Sequence, residues 1–393
     1  MSGAARPLRI GFIPLVDAAA IFVAFDQGYF VDEGLDVELV KDVSWSNIRD
    51  KLAIGVLDAA HMLAPMAIAS SLGFGHFKTP LVAPMNLAMN GNALTVTATL
   101  HAQLREAADG NIVDPLVTAR ALKKVVRTRS ERGQEPLTFA MTFPYSMHNY
   151  ALRYWIAAGG LDPDQDLRLV VLPPPYMVDS IRRDQVDGFC VGAPWSSVAV
   201  DAGVGQILHF GCEIFSHAPE KVLALREADV DADPSVALAL TRALAKAALY
   251  VAEHENHAKI SASMASPDRL GVDANLIRRS LEGKLKLDAS GASRSDDDYL
   301  VIGKGGSVRP DVRQAVWIYA QMLRWKQGSY SQEHAAAAQR VFRPELYDSA
   351  LYGHHSSPPT GLAAVDPIGP FDGVSTPDDL RNYLATFEVG CRI

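Results

Sequence analysis

In the first half of the chain, the spacing of apolar positions alternates between the patterns typical of strands and of helices. The apolar run Leu8–Val16 predicts a strand, Ala18–Gln27 predicts a helix that stops at Gly28, and Gly34–Val40 predicts a second strand. Parallel strands need a crossover connection, usually a helix, so this order is typical of a parallel sheet. The sequence therefore opens as an α/β fold.

The same pattern continues to about residue 200 and then changes. Further strands are predicted at Leu57–Met62, Pro80–Met89, Ala93–Thr99, Leu137–Thr142, Leu167–Leu172 and Val186–Val191. Helices are predicted from Ser44 and at Pro65–Leu72, Ser146–Ala158 and Met177–Asp184. After Glu220 the pattern is mainly helical, with helices at Ser235–His254, Ala274–Leu281 and Pro310–Trp325.

Two α/β blocks without a Pro- or Ser-rich linker between them predict two lobes that share the chain. The crossings are expected near Thr95–Thr99 and Gly203–Phe210. We accordingly assign residues 1–97 to the first part of lobe I, 98–207 to lobe II, and 208–393 to the second part of lobe I with the C-terminal helices.

Composition excludes several classes of protein. The 393 residues are 48% hydrophobic and 21% charged, which is typical of a globular chain rather than a disordered one. There are 37 Lys and Arg against 45 Asp and Glu, a net charge of −8. An acidic chain of this kind is not expected to bind nucleic acid directly, because phosphate contacts need clustered basic side chains.

The cysteines and the N-terminus bear on the compartment. Cys190, Cys212 and Cys391 show no metal-binding spacing and make an odd count, so neither a disulfide framework nor a metal site is expected. The first apolar run, from Leu8, is interpreted as a strand rather than an export signal, and no long uninterrupted apolar stretch predicts a membrane span. These features favour a cytoplasmic protein.

A set of short segments occurs in a particular order along the chain: Gly11 with Pro14, Ala24–Phe30, Glu33–Leu35, Ser44–Asp50, Asn90–Ala93, Met147–Asn149, Asp187–Trp195 and Pro219–Leu223. Together they resemble the nitrate- and bicarbonate-binding (NrtA/CmpA-like) branch of type II periplasmic-binding-protein-like proteins. The resemblance runs from about residue 8 to beyond residue 340. It implies two α/β lobes with a ligand cleft between them and a mainly helical C-terminal part.

Within that branch, the sequence resembles the cytoplasmic NasS-type nitrate/nitrite sensors, because the lipoprotein-type signal of the exported members is not seen. This resemblance implies a protein that binds nitrate or nitrite and then releases a NasT-like partner, an ANTAR-type RNA-binding antiterminator that controls nitrate assimilation genes. It implies no catalysis, no cofactor and no membrane association.

The resemblance also implies an oxyanion pocket formed by Trp45, Asn92, His148, Gly192 and Lys221. The nitrate-transport receptors tend to carry glutamine at the Asn92 position, so direct contact by this shorter amide stays open. Lys221 stands where bicarbonate binders tend to have a carboxylate that helps to hold calcium, and Ala193 replaces an acidic residue. Both changes favour a lone monovalent anion without a metal.

The chemistry of these residues suits such a ligand, although each has another interpretation. A buried anion needs donors that replace its water and a positive charge, which the Lys221 ammonium would supply. His148 lies at a strand-to-helix junction, where backbone donors gather. Alternatively, Lys221 is a solvated residue at a helix start, His148 and Trp45 belong to the core or cap a helix, and Gly192 only shapes a turn.

Two other functions stay open at this stage. One is the substrate-binding component of a nitrate/bicarbonate-type ABC importer. The other is an enzyme of the same fold that uses Cys190 as a nucleophile, or a histidine-rich iron site at His254–His257 or His354-His355. Cys190 lies in the apolar segment Gly188–Gly192, which favours a buried, unreactive thiol. The polar segment His101–Glu135 is the candidate surface for a protein partner.

Overall fold

The computed structural model describes residues 6–353, 367–374 and 380–390. The strands in chain order are β1 (Leu8–Phe12), β2 (Val37–Lys41), β3 (Ala59–Leu63), β4 (Leu81–Asn90), β5 (Asn92–Val96), β6 (Thr138–Met141), β7 (Arg168–Val171), β8 (Gly188–Gly192), β9 (Gln206–Phe210), β10 (Phe215–Ser216), β11 (Pro219–Arg226), β12 (Lys284–Lys286), β13 (Ser293–Ser295), β14 (Leu300–Val301) and β15 (Gly369–Pro370).

The helices are α1 (Ala19–Asp26), α2 (Tyr29–Asp32), α3 (Trp45–Ala53), α4 (Ala64–Leu72), α5 (Ala98–Ala107), α6 (Pro115–Glu131), α7 (Met147–Ala158), α8 (Met177–Arg182), α9 (Trp195–Asp201), α10 (Gly211–Ile214), α11 (Glu227–Ala232), α12 (Ser235–Ala252), α13 (His257–Met264), α14 (Ala274–Leu281), α15 (Val312–Arg324), α16 (Gln332–Val341), α17 (Pro344–Tyr352) and α18 (Leu380–Ala385). Short 3-10 turns occur at Val16–Ala18, Pro174–Tyr176 and His254–Asn256.

Two mixed sheets organise the molecule. The first has six strands in the order β14-β4-β11-β3-β1-β2, and the second has five in the order β7-β6-β8-β5-β9. Strands β1, β2 and β3 are parallel, as the opening strand-helix-strand pattern predicts, and helices pack on these sheets. The predicted α/β class is confirmed.

The chain passes between the sheets at two places. Strand β4 of the first sheet ends at Asn90, and β5 of the second sheet begins at Asn92, so Gly91 with its positive φ of 86° is the crossing. The return lies between β9, which ends at Phe210, and β11, which starts at Pro219. The predicted lobe boundaries at 97/98 and 207/208 lie inward of these two crossings.

Strand β11 is not among the predicted strands, and the chain after Glu220 becomes mainly helical only beyond it. It lies inside the first sheet, antiparallel to both β3 and β4. Its apolar part, Val222–Leu225, is only four residues long and fully buried, and so short an apolar run does not distinguish a strand from a helix. Burial between two neighbouring strands decides the outcome here.

Helix α12 is long and apolar enough to cross a membrane by length and composition alone. More than half of it is buried inside the protein, where it packs against α1, α2 and α17. It is therefore a core helix of this fold, whose apolar face is covered by protein.

The C-terminal part of the chain packs on α7, a helix that follows β6 of the second sheet. Tyr150 donates a hydrogen bond to Gln327 (2.8 Å), and Tyr154 donates to the Asp372 carboxylate (2.8 and 2.9 Å). The rings of Phe215, Phe371 and Phe387 surround Tyr154 at 5.0 to 5.9 Å between centroids. The C-terminal helices thus connect both parts of the molecule.

Candidate functional site

A buried group of polar and charged side chains lies between the two sheets. Lys221 and Glu220 come from β11 of the first sheet, whereas Asn92 and Gly192 come from the paired strands β5 and β8 of the second. Lys221, Glu220 and His148 are 0% exposed, and Asn92 is 3% exposed. The two sheets therefore enclose ionisable groups that solvent does not reach.

A local irregularity in β11 explains how two consecutive residues reach one place. Successive side chains of a regular strand point to opposite faces of the sheet. The pairing of β11 with β4 shifts register between Pro219 and Lys221, and again between Lys221 and Val222. Such bulges re-aim side chains, and the Lys221 Nζ lies 3.1 Å from the Glu220 Oε1 as a result.

The Lys221 ammonium also contacts Asp17, which lies in the 3-10 turn after β1. Lys221 Nζ is 2.8 Å from Asp17 Oδ2, and Asp17 Oδ1 is 2.9 Å from Nε2 of His61 on β3. Burial alone would raise the pKa of Asp17, but the neighbouring Lys221 and His61 hold it well below its usual value. Burial opposes the charge of Lys221, yet the two carboxylates raise its pKa.

On the other side, Asn92 and His148 meet the carboxylate of Glu220. Asn92 Nδ2 donates to Glu220 Oε2 at 2.7 Å, and His148 Nδ1 lies 3.2 Å from Glu220 Oε1. His148 is the second residue of α7, which Ser146 caps by accepting a hydrogen bond from the Asn149 N–H. Burial and the nearby Lys221 lower the pKa of His148 well below its usual value, so its imidazole is neutral.

Gly192 lies where the two halves of the site meet. A Cβ added there would be 3.5 Å from Asp17 Oδ2 and 3.6 Å from His148 Nε2. A side chain larger than hydrogen would therefore stand in the space between these two groups.

Trp45, the first residue of α3, lies beside the same cluster. The Ser44 side chain caps this helix by accepting from the Asn47 N–H, as the sequence predicts. Lys221 Nζ is 5.5 Å from the centroid of the Trp45 ring, and the His61 ring is 5.6 Å from it. Trp45 Nε1 and His148 Nε2 are buried and have no hydrogen-bond partner among the described residues.

All five predicted pocket residues thus meet in one place, although their role as ligand contacts stays a prediction. The interpretation of Lys221 as a solvated residue at a helix start is wrong, because it lies fully buried in β11. Sequence reasoning missed Asp17, His61 and Glu220. The available signal for Asp17 was a polar residue directly after an apolar strand, and for His61 a polar residue within one.

The positive charge of Lys221 is compensated within the site. Asp17 and Glu220 both contact its ammonium, so two carboxylates face one cation. Burial lowers the pKa of His61 and of His148, which favours their neutral forms. Any anion that enters this site therefore meets a cluster that is already balanced or negative.

The other candidate reactive groups are placed differently. Cys190 is buried, burial raises the pKa of its thiol well above the usual value, and Sγ lies 3.7 Å from Asn92 Oδ1. His254 and His257 lie near Glu282, whose carboxylate already accepts a 2.7 Å hydrogen bond from Arg278. Cys391 and the His354-His355 pair lie outside the described residues.

Comparison with known proteins places the chain in a family and confirms the predicted periplasmic-binding-protein-like fold. A profile of the NMT1-like family matches residues 3–265. The chain belongs to the NMT1-like family. Among solved structures, this NMT1-like chain is similar to the periplasmic nitrate-binding protein NrtA from Synechocystis PCC 6803, with a TM-score of 0.87 and 25% sequence identity over 98% of this chain and 99% of that one.

Two curated relatives of this NMT1-like chain are larger proteins. It is 34% identical to the nitrate import ATP-binding protein NrtC of Synechocystis, over 97% of this chain and 55% of that protein. It is 31% identical to the bicarbonate transport ATP-binding protein CmpC of Synechocystis, over 96% of this chain and 54% of the relative. The chain therefore spans about half the length of these curated relatives.

Proposed function

We propose that this protein binds a small planar oxyanion, nitrate or nitrite, between its two sheets, and that it does so without catalysis. The observation that carries the proposal is the convergence of Trp45, Asn92, His148, Gly192 and Lys221 from both sheets in one buried place. Two buried nitrogens there have no partner among the described residues. The Trp45 Nε1–H is a donor of the kind that a weak oxygen acceptor needs, and His148 Nε2 donates in the tautomer that carries the proton on that atom. The similarity to proteins named for nitrate binding and nitrate import supports this ligand.

The burial of the site determines in which form of the protein an anion can reach it. Because the residues that would contact the anion are almost wholly buried, the anion can enter only when the lobes separate. A ligand shifts such an equilibrium only as far as it prefers one form over the other. We expect the anion to stabilise a closed form of the two lobes in which these residues contact it.

The test is isothermal titration calorimetry of the purified protein with nitrate, nitrite and bicarbonate. We expect binding heat with nitrate or nitrite, and the comparison ranks the three anions. Absence of heat and of thermal stabilisation with all three would refute the proposal.

His148→Gln should weaken binding by at least about tenfold, as expected for a lost hydrogen bond to a charged group.

His209→Gln is the matched control for that variant. His209 is another fully buried histidine of the second sheet, and its Nε2 lies 2.6 Å from the Thr118 hydroxyl, outside the anion site. An equal loss of affinity in both variants would mean that the effect comes from general destabilisation.

The finer proposal is that anion binding regulates a partner. In this cycle the protein is cytoplasmic and holds a NasT-like antiterminator until nitrate or nitrite arrives. Its support is the resemblance of the ordered motifs to the branch that contains the NasS-type sensors. Affinity purification from cytosol, with and without nitrate, tests it: one partner should be lost when nitrate is added, and a partner set that nitrate does not change would contradict it.

A second candidate is the substrate-binding part of an ABC importer, in which the same site delivers the anion to a permease. The similarity to NrtC and CmpC, both named as ATP-binding proteins of transport, favours it. Cell fractionation and co-purification with membrane components separate this role from the sensor. Catalysis through Cys190 is disfavoured, because a buried thiol with a raised pKa carries little thiolate.

A further inference from the structure

The carboxylate of Glu220 makes the contacts that a bound oxyanion would be expected to make. Asn92 Nδ2 donates to its Oε2 at 2.7 Å, Lys221 Nζ is 3.1 Å from its Oε1, and His148 Nδ1 is 3.2 Å from the same oxygen. Three of the five predicted pocket residues thus converge on this one side chain. A carboxylate is planar and carries one negative charge over its oxygens, and nitrate and nitrite have the same features.

We infer that Glu220 is a built-in competitor for the anion: its carboxylate occupies the donors of Asn92 and Lys221 in the closed protein, and an external oxyanion binds when this carboxylate is neutralised or rotates away. The inference rests on the proposed function and deepens it. It makes Glu220, which is not among the predicted contacts, the residue that sets affinity.

Charge explains why the competitor and the anion exclude each other. Asp17 and Glu220 already face one ammonium, so a further anion would add a third negative charge around Lys221. Like charges within a few ångströms in a buried place repel strongly, because little water screens them. Taking up one proton on Glu220 removes the contribution of Glu220 to this repulsion and weakens its contact with the Lys221 ammonium.

The titratable groups around Glu220 come from every neighbouring element: Asp17, His61, His148, Cys190, Lys221 and, near Asp17 and Cys190, Tyr299. Burial raises the pKa of Glu220 above its usual value despite Lys221. The pKa values of His61 and His148 are lowered, and those of Cys190 and Lys221 are raised. Glu220 is therefore the group of this cluster positioned to accept the proton.

The first experiment compares nitrate affinity in wild type and Glu220→Gln by calorimetry across a pH series. Glu220→Gln keeps the shape of the side chain and removes its negative charge. We expect its affinity at neutral pH to be at least about tenfold higher, the factor expected if the carboxylate holds the donors about nine-tenths of the time. The wild-type affinity should fall as pH rises, and that of Glu220→Gln should change less.

Glu213→Gln is the matched control. Its carboxylate is largely shielded too, but it pairs with Arg294 and accepts from the Phe210 N–H instead of the site donors. The control should keep the wild-type affinity and pH profile. Wild-type binding of nitrate, with equal or weaker binding by Glu220→Gln, would overturn the inference and leave the proposed function intact.

A second variant keeps the test independent of how Glu220→Gln folds. Glu220→Ala removes the carboxylate and leaves its donors in place, so added formate should replace it. We expect formate to raise the melting temperature of Glu220→Ala but not that of wild type. Formate stabilisation of the variant, in a protein that never binds nitrate, would support the donor assignment and refute the proposed ligand. No formate effect on the variant would overturn the inference.

Discussion

Lys221 and Arg324 are both almost wholly buried, one between the sheets and the other in the C-terminal aromatic cluster, and their surroundings differ. Lys221 faces two carboxylates at 2.8 and 3.1 Å. Arg324 stacks on rings instead, with its guanidinium carbon 3.5 Å from the centroid of Phe387, 4.4 Å from Trp325 and 4.6 Å from Tyr154. Charge balances the first cation, and aromatic faces cover the second.

The pKa values follow this difference. Carboxylates raise the pKa of Lys221 although burial opposes its charge, whereas burial lowers the pKa of Arg324 to about 10. The Lys221 network can exchange one of its carboxylates for an external anion, since its attraction is electrostatic and not tied to one partner. Arg324 holds the C-terminal part against Tyr154, and we expect no such exchange with an anion there. In this protein the buried cation with surplus carboxylates lies at the proposed binding site, and the one among rings makes a structural contact.

The largest effect expected from this comparison comes from Lys221→Met. The change leaves Asp17 and Glu220 buried without their cation, which should cost about 3–5 kcal/mol of unfolding free energy and abolish anion binding. Urea denaturation measures the first effect and calorimetry the second. Adding Asp17→Asn to this variant should recover part of the stability. A loss below about 1 kcal/mol, the size of a surface pair, would contradict the assigned network.

Arg324→Met should cost less, because Asp372, the carboxylate near Arg324, keeps its hydrogen bonds from the Tyr154 hydroxyl. The methionine keeps an apolar stem among the rings, so we expect a loss of at most about 2 kcal/mol, the value of a desolvated cation–π contact. Anion affinity should stay within about twofold of wild type. A strong loss of affinity would instead mean that the C-terminal cluster is coupled to the site, and the distinction between the two cations would fail.

The pH dependence of stability sharpens the comparison further. The pKa of Glu220 is raised in the folded protein, so the native state binds more protons than the unfolded one above the unfolded value of about 4.3. Its contribution to stability is complete below that pH and is lost as pH rises toward the folded pKa. Wild type should therefore lose stability relative to Glu220→Gln, by at most about 1.4 kcal/mol per pH unit. Urea midpoints in a pH series measure it, and parallel curves would contradict the raised pKa.

Much of this arrangement is readable in the sequence, and the reasons for the rest are physical. Local signals predict the opening strand-helix-strand unit and helices that start at Ser44 and Ser146, the N-cap residues of α3 and α7, because hydrophobic period and helix-start signals act over a few residues. The five pocket residues follow from motif resemblance. The bulge that turns Glu220 and Lys221 to one place depends on pairing with β4, more than a hundred residues earlier in the chain. Long-range pairing of that kind leaves no local pattern.

The smallest stability effect is expected from Gly192→Ala. This variant should bind nitrate more weakly although its fold stays stable. The added Cβ would lie 3.5 to 3.6 Å from Asp17, Leu15 and His148, which is ordinary contact, so stability should change by less than about 0.5 kcal/mol. The methyl group would fill space between Asp17 and His148, and nitrate affinity should fall at least about tenfold. Gly188→Ala on the same strand is the control: its Cβ would lie 2.8 Å from the Thr95 carbonyl oxygen and should destabilise the fold instead. If Gly192→Ala binds nitrate as wild type does, the anion does not lie between these two sheets.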